Sequence, residues 1–127
     1  MPVPLVRVIC DTSFLIHLVN RRIRNMDVLG AEIGTIQFVV PTCVLAELSK
    51  LAGDPQRSGK MTPVIRHARQ MDPVDIGDGF VDDIILNHVR DCGRGLVATM
   101  DKRLKQRIKA AGGSVLSFSH DHIVLEP

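Results

Sequence analysis

Tryptophan and tyrosine are absent from the 127 residues, and four phenylalanines are the whole aromatic supply. With apolar residues at 45%, the core must be built from Val, Ile and Leu. An aliphatic, β-branched core suits a buried parallel sheet covered by helices. Cysteine is also scarce. Cys10, Cys43 and Cys92 are scattered and form no CxxC pair, which excludes a zinc ribbon. They are expected as small core residues of a protein kept reduced. No apolar run approaches the roughly 20 residues needed to cross a bilayer. The first residues lead straight into a strand-like segment, without the apolar core of a signal peptide. The expectation is a cytosolic protein with no membrane partner. A net charge of +2 excludes a histone-like binder and leaves local charge to decide whether nucleic acid is a partner.

What is present is an alternation of strand and helix signals. The length suits one domain, residues 1–127, large enough to bury roughly two-thirds of its unfolded surface. Residues 5–10 (LVRVIC) and 35–40 (TIQFVV) read as strands. A helix is expected from Thr12 through Val19, and a short one over 25–32. Pro41 opens a helix carrying Val44, Leu45, Leu48 and Leu51 on one face and ending at Gly53. Residues 53–60 are expected as a mobile polar loop. Thr62-Pro63 then reads as an N-cap and first helical residue of a helix to about Met71. A short strand over 73–76, a helix over 80–91, a strand over 95–99 and a helix over 101–111 follow. Strands over 114–118 and 123–125 close the chain. This order implies an α/β fold, a central parallel sheet of about five strands between two helical layers.

Acidic residues fall at or just beyond the carboxyl ends of these strands, where open α/β sheets bind ligands. Asp11 follows the first strand directly. Glu47 is in the second turn of the helix after the second strand. Asp101 follows the strand over 95–99 by two residues. In VDDIIL, Asp82 has Ile85, Leu86 and Val89 at helical spacing, an apolar stripe. The period favours Asp82 as the inward acid and leaves Asp83 as the alternative at the rim. Like charges gathered at one place repel and raise each other's pKa. A hard divalent cation removes that penalty, and oxygen-only ligands suit Mg²⁺ or Mn²⁺. Such an ion activates water and stabilises the leaving oxygen in phosphodiester hydrolysis.

The ordered set VICDTSFLI from Val8, VLAELSKL from Val44, FVDDIILNHV from Phe80 and GLVATMDKRLKQRI from Gly95 resembles the PIN-domain nuclease family over almost the whole chain. The resemblance implies a three-layer α/β/α fold and metal-dependent RNA cleavage. It implies that Asp11, Glu47, Asp82 and Asp101 are the catalytic and metal-site acids, and that Ser13 and Thr99 orient a carboxylate or a metal-bound water. It also implies single-stranded or structured RNA as substrate and a homodimer. The family includes toxin-type endoribonucleases (VapC-like), whose partner is an antitoxin, and nucleases that process ribosomal RNA precursors. DDIIL and MDKRLKQRIK are closer in wording to the archaeal and ribosome-processing branch. The zinc ribbon or basic extension frequent in processing factors is missing, which leaves the toxin-like reading open.

Lys102, Arg103, Lys105, Arg107 and Lys109 crowd the helix that starts beside Asp101, with Arg21 and Arg22 (and Arg24) as a second basic cluster. Both are candidates for phosphate contact. Base stacking falls to phenylalanine or histidine, and most of the phenylalanines are expected in the core. Three other functions are compatible with an acid at the end of the first strand. An aspartyl phosphatase would need a second acid where Ser13 stands. A receiver domain would need paired N-terminal acids. The stronger rival is a catalytically silent PIN-fold module that holds RNA or protein. His120 and His122 are expected as surface residues.

Overall fold

The computed structural model describes residues 5–20, 34–93 and 95–126. In chain order its elements are β1 (Leu5–Cys10), α1 (Thr12–Asn20), β2 (Thr35–Pro41), α2 (Thr42–Ala52), α3 (Ser58–Arg69), β3 (Asp72–Val74), α4 (Val81–Cys92), β4 (Leu96–Ala98), α5 (Lys102–Ala110), β5 (Ser114–Ser119) and β6 (His122–Glu126). The expected helix over 25–32 and the arginines at 21, 22 and 24 lie outside the described residues.

The strands form one sheet in the order β3-β2-β1-β4-β5-β6. Val8, Ile9 and Cys10 are buried in succession, as a central strand covered on both faces requires. From β1 the chain steps outward to β2 and β3, then returns to the other side of β1 for β4 and β5. The right-handed crossover rule assigns α1, α2 and α3 to one face and α4 and α5 to the other. The contacts agree: α3 packs on α1 and α2, and α5 packs on α4. The gap between β1 and β4 is the topological switch point, where ligands of such sheets bind. Register ties Ile9 to Val97 and Cys10 to Ala98, so Asp11 and Thr99 emerge side by side. Among the described residues no helix is long and apolar enough to cross a membrane.

Several local expectations are corrected. The expected parallel sheet of about five strands is present as β1 to β5, and a sixth strand, β6, extends it antiparallel to β5. Only His120 and Asp121 join the two, and so short a link makes a hairpin, not a parallel crossover. His120 takes a positive φ of 58° to make it, which histidine tolerates better than most residues. Helix α3 begins at Ser58, inside the stretch read as a loop, and Pro63 lies within it. Met61, Val64 and Ala68 are its buried stripe, and burial of Met61 carries the helix back past the proline. The Thr62 hydroxyl donates to the Ser58 carbonyl at 2.8 Å, close to the turn where proline has no N–H to offer. Pro41 ends β2 and sits at the N-cap of α2. Cys10 and Cys43 are buried, but Cys92 is exposed, at the last turn of α4 and 3.6 Å from His88 Nε2.

The two helices of the second layer meet at Gly113. A Cβ there would lie 2.7 Å from Ile108 Cγ2 and 2.8 Å from Val89 Cγ1. Both are methyls of buried β-branched side chains and cannot swing aside. Gly113→Ala is expected to lower stability by about 2 kcal/mol through overpacking. The check is a lower urea midpoint with an unchanged m-value.

Candidate active site

Asp11 is the centre of the site and the most enclosed of its acids, with 6% of its surface exposed. Its backbone N–H donates to the Ala98 carbonyl at 2.9 Å, continuing the β1–β4 ladder by one residue. Three donors hold its carboxylate. The Thr12 N–H donates to Oδ1 at 2.7 Å. The hydroxyls of Ser13 and Thr99 donate to Oδ2 at 2.9 Å and 2.8 Å. Those hydroxyls accept in turn: Ser13 Oγ from the Met100 N–H at 3.0 Å, and Thr99 Oγ1 from the Asp101 N–H at 3.1 Å. The loop after β4, which carries Asp101, is thereby tied to the carboxylate at the end of β1. A carboxylate offers about four acceptor positions. Three are used, and the one left open is on Oδ1.

The other acids reach the same place from different elements. Glu47 projects from the second turn of α2, Asp82 from the first turn of α4, and Asp101 from the N-cap of α5. With Asp11, Thr12 and Ser13 they line a cleft of about 320 Å³, to which Ile16, Phe80 and Val81 give an apolar wall. Asp101 Oδ1 accepts from the Leu104 N–H at 3.0 Å, so this acid caps α5 through one oxygen and keeps the other. Asp83, one residue on, is exposed and turned away. Its Oδ1 pairs with Arg107 Nη2 at 3.4 Å, and it lies outside the lining of the cleft.

Crowding leaves an electrostatic mark. The Glu47 carboxyl titrates above its ordinary value, through burial first, then through the charges of Asp11 and Asp82. Asp82 is likewise raised, by burial, then by Asp11 and Asp101, with Arg107 pulling the other way. The Thr12 hydroxyl is buried with no hydrogen-bond partner of good geometry, although it lies near enough to Glu47 to draw that acid down slightly. Among the described residues no three acid, histidine or cysteine side chains close round one point. The acids line an open cleft rather than a finished cage. Oxygen-only donors, mutual repulsion and an orphaned hydroxyl fit a hard divalent cation that keeps several of its waters.

The basic helix divides into three parts. Lys105 and Lys109 do not face the cleft: both pair with Glu126 on β6, at 3.1 Å and 3.2 Å. Arg107 is engaged by Asp83. Lys102 and Arg103 are exposed on the first turn of α5, directly after Asp101. Glu126 also accepts from the buried Ser117 hydroxyl at 2.5 Å. That bond, with the two lysines, holds its carboxyl down at about 2. A depressed carboxylate contributes stability that is present above its unfolded value and is lost as pH falls through the folded one. Glu126→Gln is therefore expected to cost about 1 kcal/mol near neutral pH, after screening of the partly exposed pairs. The gap between variant and parent should close as pH falls from the ordinary glutamate value of 4.5 toward about 2. Urea midpoints across that range would show it.

Thr12, a member of the cleft, lies inside the Asp-Thr-Ser run and carries no sequence signal beyond the start of a helix. Phe80 is one of the four phenylalanines available for base stacking, most of them expected in the core, and it is 68% exposed at the mouth of the cleft. Its place just outside the apolar stripe of α4 was the available signal.

A doubly covered, mostly parallel sheet with four carboxylates at its switch point defines the class of protein. A family model for a PIN-like domain matches residues 8–120, and the chain belongs to that family. Among solved structures it is similar to one described as the structure of the PIN domain endonuclease Utp24. The TM-score is 0.77 and the identity 29%, over 94% of this chain and 90% of that one. Comparison with curated proteins gives no match.

Proposed function

We propose that the chain is a metal-dependent endoribonuclease that hydrolyses phosphodiester bonds in RNA. The observation that carries this reading is the convergence of Asp11, Glu47, Asp82 and Asp101, from four separate stretches of chain, on one cleft at the sheet's switch point. Likeness to a PIN domain endonuclease supports it.

In this reading the four acids hold Mg²⁺ or Mn²⁺, with Asp11 Oδ1 and the uncapped oxygen of Asp101 as the oxygens left open for it. The ion, when bound, supplies an activated water and charge stabilisation at the phosphate. The protein's own part is positioning. Ser13 and Thr99 fix the rotation of the Asp11 carboxylate. The Met100 and Asp101 amides fix those hydroxyls, so neither can turn away. Lys102 and Arg103 meet the phosphates of the strand beside the cleft, a contact without sequence preference. Asp83 keeps Arg107 near Asp82, where the guanidinium offsets part of the acids' repulsion.

Toxin-type cleavage and ribosomal RNA processing share this chemistry, and the proposal covers both. An antitoxin or a ribosomal precursor is the partner that each would bring. The test is cleavage of a labelled single-stranded RNA with and without Mg²⁺ or Mn²⁺, by the parent and by Asp11→Asn. Metal-dependent cutting by the parent alone is expected. Equal cutting by both proteins would trace it to a contaminant, and binding without cutting would leave a silent RNA-holding module.

A further inference from the structure

Phe80 is the one ring of four that the core does not use. Phe14 stacks against Phe118 and tilts against Phe38, whereas Phe80 is 68% exposed. A single exposed apolar residue is ordinary; the position of this one is not. Phe80 is the N-cap of α4 and makes no side-chain cap hydrogen bond. Ser, Thr, Asp or Asn would satisfy an open amide there. The ring therefore serves neither the core nor the helix end.

It stands instead where two cavities meet. Phe80, Val81 and Glu47 line both the acid cleft and a neighbouring cavity of about 510 Å³. Cys43 and Ala46 give the second cavity an apolar wall, Lys50 gives it one cation, and Asp78 and the shared Glu47 give it two carboxylates. The loop that presents Asp78 and Phe80 turns through Gly77 and Gly79, both at positive φ and both set against the Ile84 side chain. A flat apolar face, edged by one ammonium donor and carboxylate acceptors and open to a cleft suited to a phosphodiester, fits a planar heteroaromatic ring whose rim carries both donors and acceptors.

We propose that this second cavity is a nucleobase subsite for single-stranded RNA: the Phe80 ring is the stacking platform, and Lys50 and Asp78 meet the edge of the base. The inference rests on the nuclease reading for the nature of the strand. Stacking on an aromatic side chain tolerates every base, so the subsite would fix the position of the strand more than its sequence.

The test is binding of a fluorescent single-stranded RNA by anisotropy, in Mg²⁺ and in the Asp11→Asn background so that the strand stays whole. Phe80→Ala is expected to weaken binding roughly tenfold, the typical loss of one stacked base. Phe80→Trp should hold the affinity. A single abasic position in the strand should cost the Phe80 protein a similar factor and cost Phe80→Ala little more. Phe80→Ser adds a capping hydroxyl, so it should bind RNA as poorly as Phe80→Ala while unfolding at a higher urea concentration. Loss of binding by a more stable protein is not unfolding. Affinity of Phe80→Ala within about twofold of the parent, or abasic penalties alike in both proteins, would overturn the subsite. Cleavage by the Asp11 protein is scored separately. If it is absent while the Phe80 dependence holds, the nuclease reading fails and the subsite stands.

Discussion

Asp11→Asn is expected to slow RNA hydrolysis by roughly a thousandfold and to leave the protein folded. The rate follows from the number of oxygens. Of the carboxylate's acceptor positions one is open, on Oδ1, and the substitution removes the negative charge behind it. A bound cation supplies several kcal/mol of transition-state stabilisation, and about 4 kcal/mol corresponds to three decades in rate. The fold survives because the amide keeps one acceptor oxygen. Placed where Oδ2 lies, that oxygen still receives the Ser13 and Thr99 hydroxyls. The Thr12 N–H then faces the amide nitrogen, donor against donor, at a cost of about 1–3 kcal/mol. Against this, a charge that raises both Glu47 and Asp82 disappears. The urea midpoint should move little while single-turnover cleavage collapses. A folded Asp11→Asn that cuts within tenfold of the parent would remove Asp11 from the reaction.

The acids could be read from the sequence because each depends on a short-range rule. Asp11 ends a strand, Glu47 and Asp82 sit at known helical phase beside apolar stripes, and Asp101 opens a helix. Strand–helix alternation then brings strand ends together at the switch point without further information. What stayed hidden depends on distant pairings. Lys105 and Lys109 look like an RNA-binding face on a helical wheel, but the β5–β6 hairpin brings Glu126 to them. Nothing local in KRLKQRIKA announces that partner. The hairpin itself turns on a non-glycine residue at positive φ, His120, which propensity does not flag. Helix α3 overrides the proline signal because Met61 is buried, a tertiary effect. Asp82 and Asp83 differ by one residue and 100° of helix, so the apolar stripe separates them. The same stripe does not say that Arg107 waits for Asp83.

Phe14→Ala is expected to have the largest effect on stability of any single truncation in the chain. The side chain is fully buried, with ring centroids 5.2 Å from Phe118 on β5 and 5.7 Å from Phe38 on β2. It therefore reaches across the two central strands and fastens α1 over them. Truncation of a buried phenylalanine costs about 3–5 kcal/mol, against a total of roughly 5–15 kcal/mol for a domain of this kind. With an m-value near 2 kcal/mol per molar, the urea midpoint should fall by about 2 M. Phe14→Leu keeps most of the volume and should cost about 1–1.5 kcal/mol. The loss should also reach the cleft. Phe14 follows Ser13, and the entry angle of α1 holds the Ser13 hydroxyl at 2.9 Å from Asp11 Oδ2. With the ring gone, α1 loses its seat between Phe38 and Phe118, and cleavage per folded molecule should drop with stability. A Phe14→Ala midpoint within about 0.5 M of the parent would mean that the three rings do not clamp α1 to the sheet, and that α1 is held by its other contacts, Leu15 and the Asp11 network among them.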